Sequence, residues 1–202
     1  MDARVDEVIE FWFGPAPSPT AEIYDRWLRK DARFDEEIRR QFGALHAEAV
    51  DGRLVAWRGH ARGELALIVV LDQFSRNLYR DDARAFAADH AALEIARELR
   101  RAGRSHELTF HQRMIALMPF QHSEDRSTQV ESVAAFESLV AEAAELRAGE
   151  DVLGTLRGAA DFARKHKAII ERFGRYPHRN EALGRESSPE ELEFLQQPGS
   201  RF

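Results

Sequence analysis

The sequence predicts an all-α fold, and three observations carry that reading. Apolar residues recur at helical spacing through nearly every segment, and no stretch shows the alternation of a half-buried strand. Start and stop residues bracket many of the periodic stretches. Alanine-rich faces (Ala87, Ala88, Ala91, Ala92, Ala96) allow close helix–helix approach, as in stacked helical hairpins, although no fixed-period repeat is present. With 202 residues, short connections and no low-complexity linker, one domain over 1–202 is expected.

The first helix is expected from about Asp2 through Val5, Val8, Ile9 and Trp12, stopped by Gly14-Pro15-Ala16-Pro17-Ser18-Pro19. A second covers 21–30. A third starts near Asp31 with Phe34, Ile38, Phe42 and Leu45 on one face, and ends around Asp51-Gly52. Others follow over 63–79, over 83–101 closed by Gly103, and over 106–118 until Pro119. Ser123 opens a helix reaching 147, with Val133, Phe136, Leu139, Val140 and Ala143 as its buried stripe. Over 151–173, Ala159, Phe162, Ala163, His166, Ile169, Ile170 and Phe173 share a face. Ser188-Pro189-Glu190-Glu191 starts the last helix, with serine at N-cap, proline at N1 and glutamate at N3.

Composition narrows the function classes. A formal net charge of −6, with 44% hydrophobic and 32% charged residues, is that of a soluble globular protein. The absence of cysteine removes thiol catalysis, disulfides and Cys-ligated zinc, and fits a reducing compartment. The N-terminus lacks the pattern of a secretory signal, and the longest apolar run, 65–71, is far short of the roughly 20 residues of a membrane helix. A cytoplasmic protein is expected. The acidity argues against nucleic acid and membrane surfaces as partners.

Four polar constellations stand out. Asp72-Gln-Phe-Ser-Arg-Asn-Leu-Tyr-Arg80 follows the apolar run and, in a regular helix, places Asp72, Gln73, Arg76, Asn77, Tyr79 and Arg80 on one arc. Its plain reading is a structural Asp72–Arg76 pair at i,i+4 spacing. In Met118-Pro-Phe-Gln-His-Ser-Glu-Asp125, His122 is a general base, a metal ligand or a packing residue. His166 sits among apolar neighbours, where a core histidine bonded to a carbonyl is the ordinary case. Residues 172–185 hold Arg172, Arg175, Arg179, Arg185 and His178 around Gly174, Pro177 and Gly184. Guanidinium groups so crowded need acceptors: a bound anion, or the protein's own carboxylates and helix-end carbonyls. No phosphate-cradling glycine loop, nucleophile elbow or His-Glu-x-x-His is present, and the sequence leaves any cofactor unknown.

Phe11-Trp-Phe-Gly14, Leu71-Asp-Gln-Phe-Ser-Arg-Asn-Leu-Tyr-Arg80, Pro119-Phe-Gln-His-Ser-Glu-Asp125 and Phe173-Gly-Arg-Tyr-Pro-His-Arg-Asn180 together resemble the bacterial "domain of unknown function 924" family, over essentially the whole chain. The resemblance implies an α-α superhelix of antiparallel helix pairs, tetratricopeptide-like, and no assigned activity. The family's recurring polar residues fall on Asp72, Gln73, Arg76, Asn77, Arg80, His122, Ser123 and Glu124. They continue at His166, Arg172, Gly174, Arg175, Pro177, His178, Arg179, Asn180, Gly184 and Arg185. The family usually has proline where Ser75 stands, which makes Ser75 a poor nucleophile and implies a kink there. It often has phenylalanine where Tyr176 stands.

The leading expectation is a pocket for a small anionic molecule. Arg76, Arg175 and Arg179 would grip the anion, and His122, His166 or His178 would move a proton. Asp72 and Glu124 would orient them, with Gln73, Asn77, Arg80, Arg172, Asn180 and Arg185 as further contacts. The alternatives are a protein- or peptide-interaction module using Arg76 or Arg80, and a metal-dependent hydrolase using His122, Glu124, Asp72, His166 or His178. RNA binding through Arg164-Lys-His-Lys167 is the weakest.

Overall fold

A computed structural model describes residues 2–15 and 19–200. Among them the secondary structure is helical, with no strand. The α-helices are α1 Ala3–Phe13, α2 Ala21–Leu28, α3 Ala32–Val50, α4 Ala61–Ile68, α5 Ser75–Leu78 and α6 Asp89–Arg101. They continue with α7 Phe110–Ala116, α8 Met118–His122, α9 Arg126–Glu145, α10 Glu150–Phe173 and α11 Pro189–Phe194. Residues 16–18, the centre of the expected stop signal, lie outside the described residues. Gly14 already ends α1, its N–H donating to the Glu10 carbonyl at 2.8 Å.

The apolar periodicity becomes core as it should. Val5, Val8, Ile9, Trp12, Phe34, Ile38, Phe42 and Leu45 are buried in one cluster that extends through α4, α6 and α9 to α10. Helix α4 packs on α1 and α6, and α9 on α10. The Phe11-Trp-Phe motif is core aromatic packing: Phe11 stacks on Phe34 with centroids 5.4 Å apart and meets Phe42 edge-on at 4.9 Å. Gly63 is fixed by close approach, since a Cβ there would lie 2.1 Å from the Trp57 carbonyl oxygen. No helix of the described residues is long and apolar enough to cross a membrane.

Several expected boundaries differ, each for a local reason. The 63–79 helix starts at Ala61 and widens into a π turn over Val69–Phe74 before α5. The Asp72–Arg76 pair persists at i,i+4, but α5 ends at Leu78 and Tyr79 leaves the helix at φ −129°, so the single arc from Asp72 to Arg80 does not form. Within 83–101, only Asp89 onward is α-helical; Ala83–Ala85 is a 3₁₀ turn. Pro119 does not end a helix but sits in the first turn of α8, where its missing N–H costs nothing. Asp125, not Ser123, caps α9, accepting from Thr128 N at 2.7 Å. Phe162, at the margin of the apolar face of α10, is 44% exposed, with the Lys165 ammonium 5.0 Å from its ring. The signals at the end hold: Gly174 closes α10 in the left-handed conformation at φ 71°, and Ser188 with Glu191 forms a capping box on α11.

Candidate functional site

The π turn matters because it carries Asp72, whose carboxylate is fully buried. Asp72 Oδ1 lies 2.6 Å from His122 Nδ1 at the end of α8 and 3.1 Å from Arg76 Nη1 on α5. Its Oδ2 accepts from Gln73 Nε2 at 2.5 Å. Arg76 then forks onto Asp89, the first residue of α6, at 2.9 and 3.0 Å. Arg179, in the 3₁₀ turn Pro177–Arg179, reaches the same carboxylate at 3.4 Å. Its guanidinium is sandwiched between the Phe86 and Tyr176 rings, 4.5 and 4.6 Å from their centroids. The π turn, α5, the end of α8, the start of α6 and the 3₁₀ turn thus meet around one charged cluster.

Burial opposes ionisation of Asp72, but the Arg76 charge and the His122 and Gln73 hydrogen bonds more than offset it, and the carboxyl stays well below the usual carboxylate range. Burial and the Arg76 charge push the His122 pKa down despite the attraction of Asp72, so the ring is neutral near pH 7. An ionised Asp72 can only accept, so Nδ1–H is the donor and Nε2 is the nitrogen able to take a proton. Arg76, desolvated but set between two aspartates, is held more firmly protonated than usual. Arg179 differs: burial and the neighbouring Arg76 lower its pKa, and its buried Nε finds no acceptor among the described residues.

His166 and His178 complete one wall. The His166 ring lies 6.4 Å from that of His122 and 5.6 Å from Tyr176, which lies 5.5 Å from His178. His166 Nδ1 donates to the Phe162 carbonyl at 2.8 Å. Burial pushes both histidines down to about 3, so both are neutral near pH 7.

Most of the basic stretch is neutralised by the protein itself. Arg172 pairs with Glu190 at 2.8 Å, and Arg175 forks onto Glu191 at 2.7 and 2.8 Å. Arg185 forks onto Glu124 at 2.7 and 3.0 Å, and Glu124 also accepts from Tyr176 N at 2.8 Å. Asn180 Nδ2 donates to Ser187 at 3.0 Å. Asn77 and Arg80 reach away from Asp72 to Asp35 on α3, Asn77 at 2.8 Å and Arg80 through Nη2 at 2.7 Å. Ser75 Oγ donates to the Leu71 carbonyl at 2.6 Å and sits 2.8 Å from His46 Nε2, so its proton is committed to the backbone. Among the described residues no three histidine or carboxylate side chains are grouped so that they could hold a metal ion.

Residues 8–199 match a family described as "Bacterial protein of unknown function (DUF924)". The chain belongs to this family. A solved structure of a protein of unknown function from Agrobacterium tumefaciens is similar throughout. It is 33% identical, with a TM-score of 0.78, over 96% of this chain and 97% of that one. No curated protein matches.

Two members of the cluster were not visible in the family's polar motifs. Asp89 reads in sequence as an ordinary acidic residue at a helix start, and Phe86 as one apolar residue in an alanine-rich run. Nothing in their spacing ties them to Arg76 or to Arg179. Only the fold brings them together.

Proposed function

We propose that the cluster of Asp72, Arg76, Asp89, His122 and Arg179 is the functional centre of the protein, a site for a small carboxylate- or phosphate-bearing molecule. The observation that carries this is Arg179. It is 5% exposed, holds one carboxylate contact at 3.4 Å shared with Arg76, and keeps its Nε without an acceptor among the described residues. A buried guanidinium in that condition is costly, and an anion arriving beside it supplies the missing acceptors. His122 is held in one tautomer by Asp72, and Asp72 would stabilise the imidazolium that forms if His122 accepts a proton from the ligand.

Arg172, Arg175 and Arg185 are left out of this ligand set because Glu190, Glu191 and Glu124 already occupy them. A peptide groove would use Arg76 or Arg80, of which Arg80 is spent on Asp35 and Arg76 on Asp72 and Asp89, so the small-molecule reading fits the geometry better. The test is ligand-induced thermal stabilisation across carboxylated and phosphorylated metabolites, with wild type beside Arg179→Gln and His122→Gln. The expected result is stabilisation of wild type by one chemical class, lost in Arg179→Gln and largely kept in His122→Gln. No stabilisation of wild type by any compound, or an unchanged response in Arg179→Gln, sinks the reading.

A further inference from the structure

A cleft of about 390 Å³ lies apart from the cluster around Asp72, walled by α6, the 3₁₀ turn Arg104–Glu107, α7 and α9. Its volume falls in the range of small-molecule sites. Leu99, Leu117, Ala135 and Leu139 line it with buried apolar surface, while Arg97, Arg100, Arg101 and Arg113 line it with charge.

The four arginines are not equally satisfied. Arg113 forks onto Glu142, with Nη1 at 2.8 Å, and Arg101 pairs with Glu98 on its own helix. Arg97 and Arg100 instead divide a single carboxylate: each takes one oxygen of Glu131, both at 3.5 Å. Arg97 is further held by Thr128 Oγ1 at 2.9 Å and Glu94 at 3.2 Å. Arg100 has no other carboxylate partner among the described residues, and its guanidinium rests over the Phe120 ring at 5.4 Å. The side chains of Arg97, Arg100 and Glu131 are 39%, 37% and 41% exposed. Contacts this long and this exposed are weak and screened, so a second anion can join or displace Glu131 at little cost.

We propose that this cleft is a second binding site, independent of the cluster around Asp72, for a small amphipathic anion. Its apolar body lies on the Leu99–Leu139 floor. Its carboxylate or phosphate head is taken by Arg100 and Arg97, where the planar guanidinium fork suits either head group.

Isothermal titration of the whole protein with hexanoate and hexyl phosphate tests it, with hexanol and inorganic phosphate as body-only and head-only controls. Wild type binds at least one of the two amphiphiles, and which one identifies the head group; each control binds about tenfold more weakly or not at all. Arg100→Ala weakens binding by about tenfold or more, and Glu131→Gln strengthens it by removing the competing carboxylate. Ser138→Trp, an exposed position on α9 at the cleft, blocks binding while leaving the thermal midpoint near that of wild type. Arg179→Gln leaves binding intact, which separates this site from the first. Absence of saturable binding to wild type up to about 10 mM, binding that survives both Arg100→Ala and Ser138→Trp, or inorganic phosphate binding as tightly as hexyl phosphate overturns the proposal.

Discussion

Arg175 and Arg179 are four residues apart and meet opposite environments. Arg175 lies at the surface, where both Glu191 oxygens and the Glu186 carbonyl take its hydrogen bonds. Arg179 is buried against two aromatic rings, with part of one aspartate that Arg76 already holds by two hydrogen bonds. The same contrast separates the two regions they belong to. The outer basic stretch is a set of one-to-one pairs with Glu190, Glu191 and Glu124 that fastens the C-terminal segment to the end of α10 and to the turn before α9. In the inner cluster two arginines and two aspartates share one another, and among the described residues the Arg179 Nε is left without an acceptor. Crowded arginine in sequence is therefore no measure of available positive charge. What counts is how many carboxylates the fold returns to each guanidinium.

That contrast can be broken most sharply at Asp72. Asp72→Ala leaves Arg76 and His122 buried without their common partner, and should cost about 3–5 kcal/mol in chemical denaturation. A loss below about 1 kcal/mol would mean the inner cluster is relaxed by water like a surface pair.

The next effect is on pH. His166 and His178 have folded pKa values lowered to about 3, chiefly by burial, from an ordinary 6.5. Between those values the unfolded chain takes up protons that the folded chain refuses. Stability is therefore full above about pH 6.5 and falls as pH drops toward 3, by up to about 1.4 kcal/mol per pH unit for each histidine. Denaturation midpoints from pH 7.5 down to 4.5 should show this slope, and His166→Gln with His178→Gln should flatten it. Resonances of His166 and His178 titrating near 6.5 in the folded protein would contradict it.

A smaller and opposite effect is expected at Arg179. Because it is incompletely paired, Arg179→Met should leave stability unchanged or raise it by about 1 kcal/mol, while abolishing any ligand-induced stabilisation. A large loss of stability would make Arg179 an architectural residue. Smallest of all, Glu190→Gln at the exposed Arg172 pair should give no change beyond measurement error in the same denaturation experiment.

The fold was legible because helical periodicity and capping chemistry are local. Phe34, Ile38, Phe42 and Leu45 face the core, and Ser188 with Glu191 closes its capping box, for reasons contained within a few residues. The helix breaks were less legible. A π turn at Val69–Phe74 leaves the apolar run unchanged, since every face of that run is buried anyway. The site was half legible for a related reason. Asp72, Arg76, His122 and Arg179 stand in distinctive polar motifs, but which of them touch is decided by tertiary packing. Asn77 and Arg80 go to Asp35 instead of Asp72, and the start of α6 adds Asp89. Tertiary packing also spends Arg172 and Arg175 on Glu190 and Glu191, whose sequence positions gave no hint of partnership, and Arg185 on Glu124, which already stood among the polar motifs.

The division between an inner site and an outer scaffold is tested most directly by locating a bound anion. Crystals grown with selenate as the anion, measured at the selenium edge, would place it without reference to any assay. The expected result is an anomalous peak within hydrogen-bond distance of Arg179 Nε and none beside Arg172 or Arg175. Peaks on Arg172 or Arg175, with Arg179 completed by the protein's own acceptors, would contradict it.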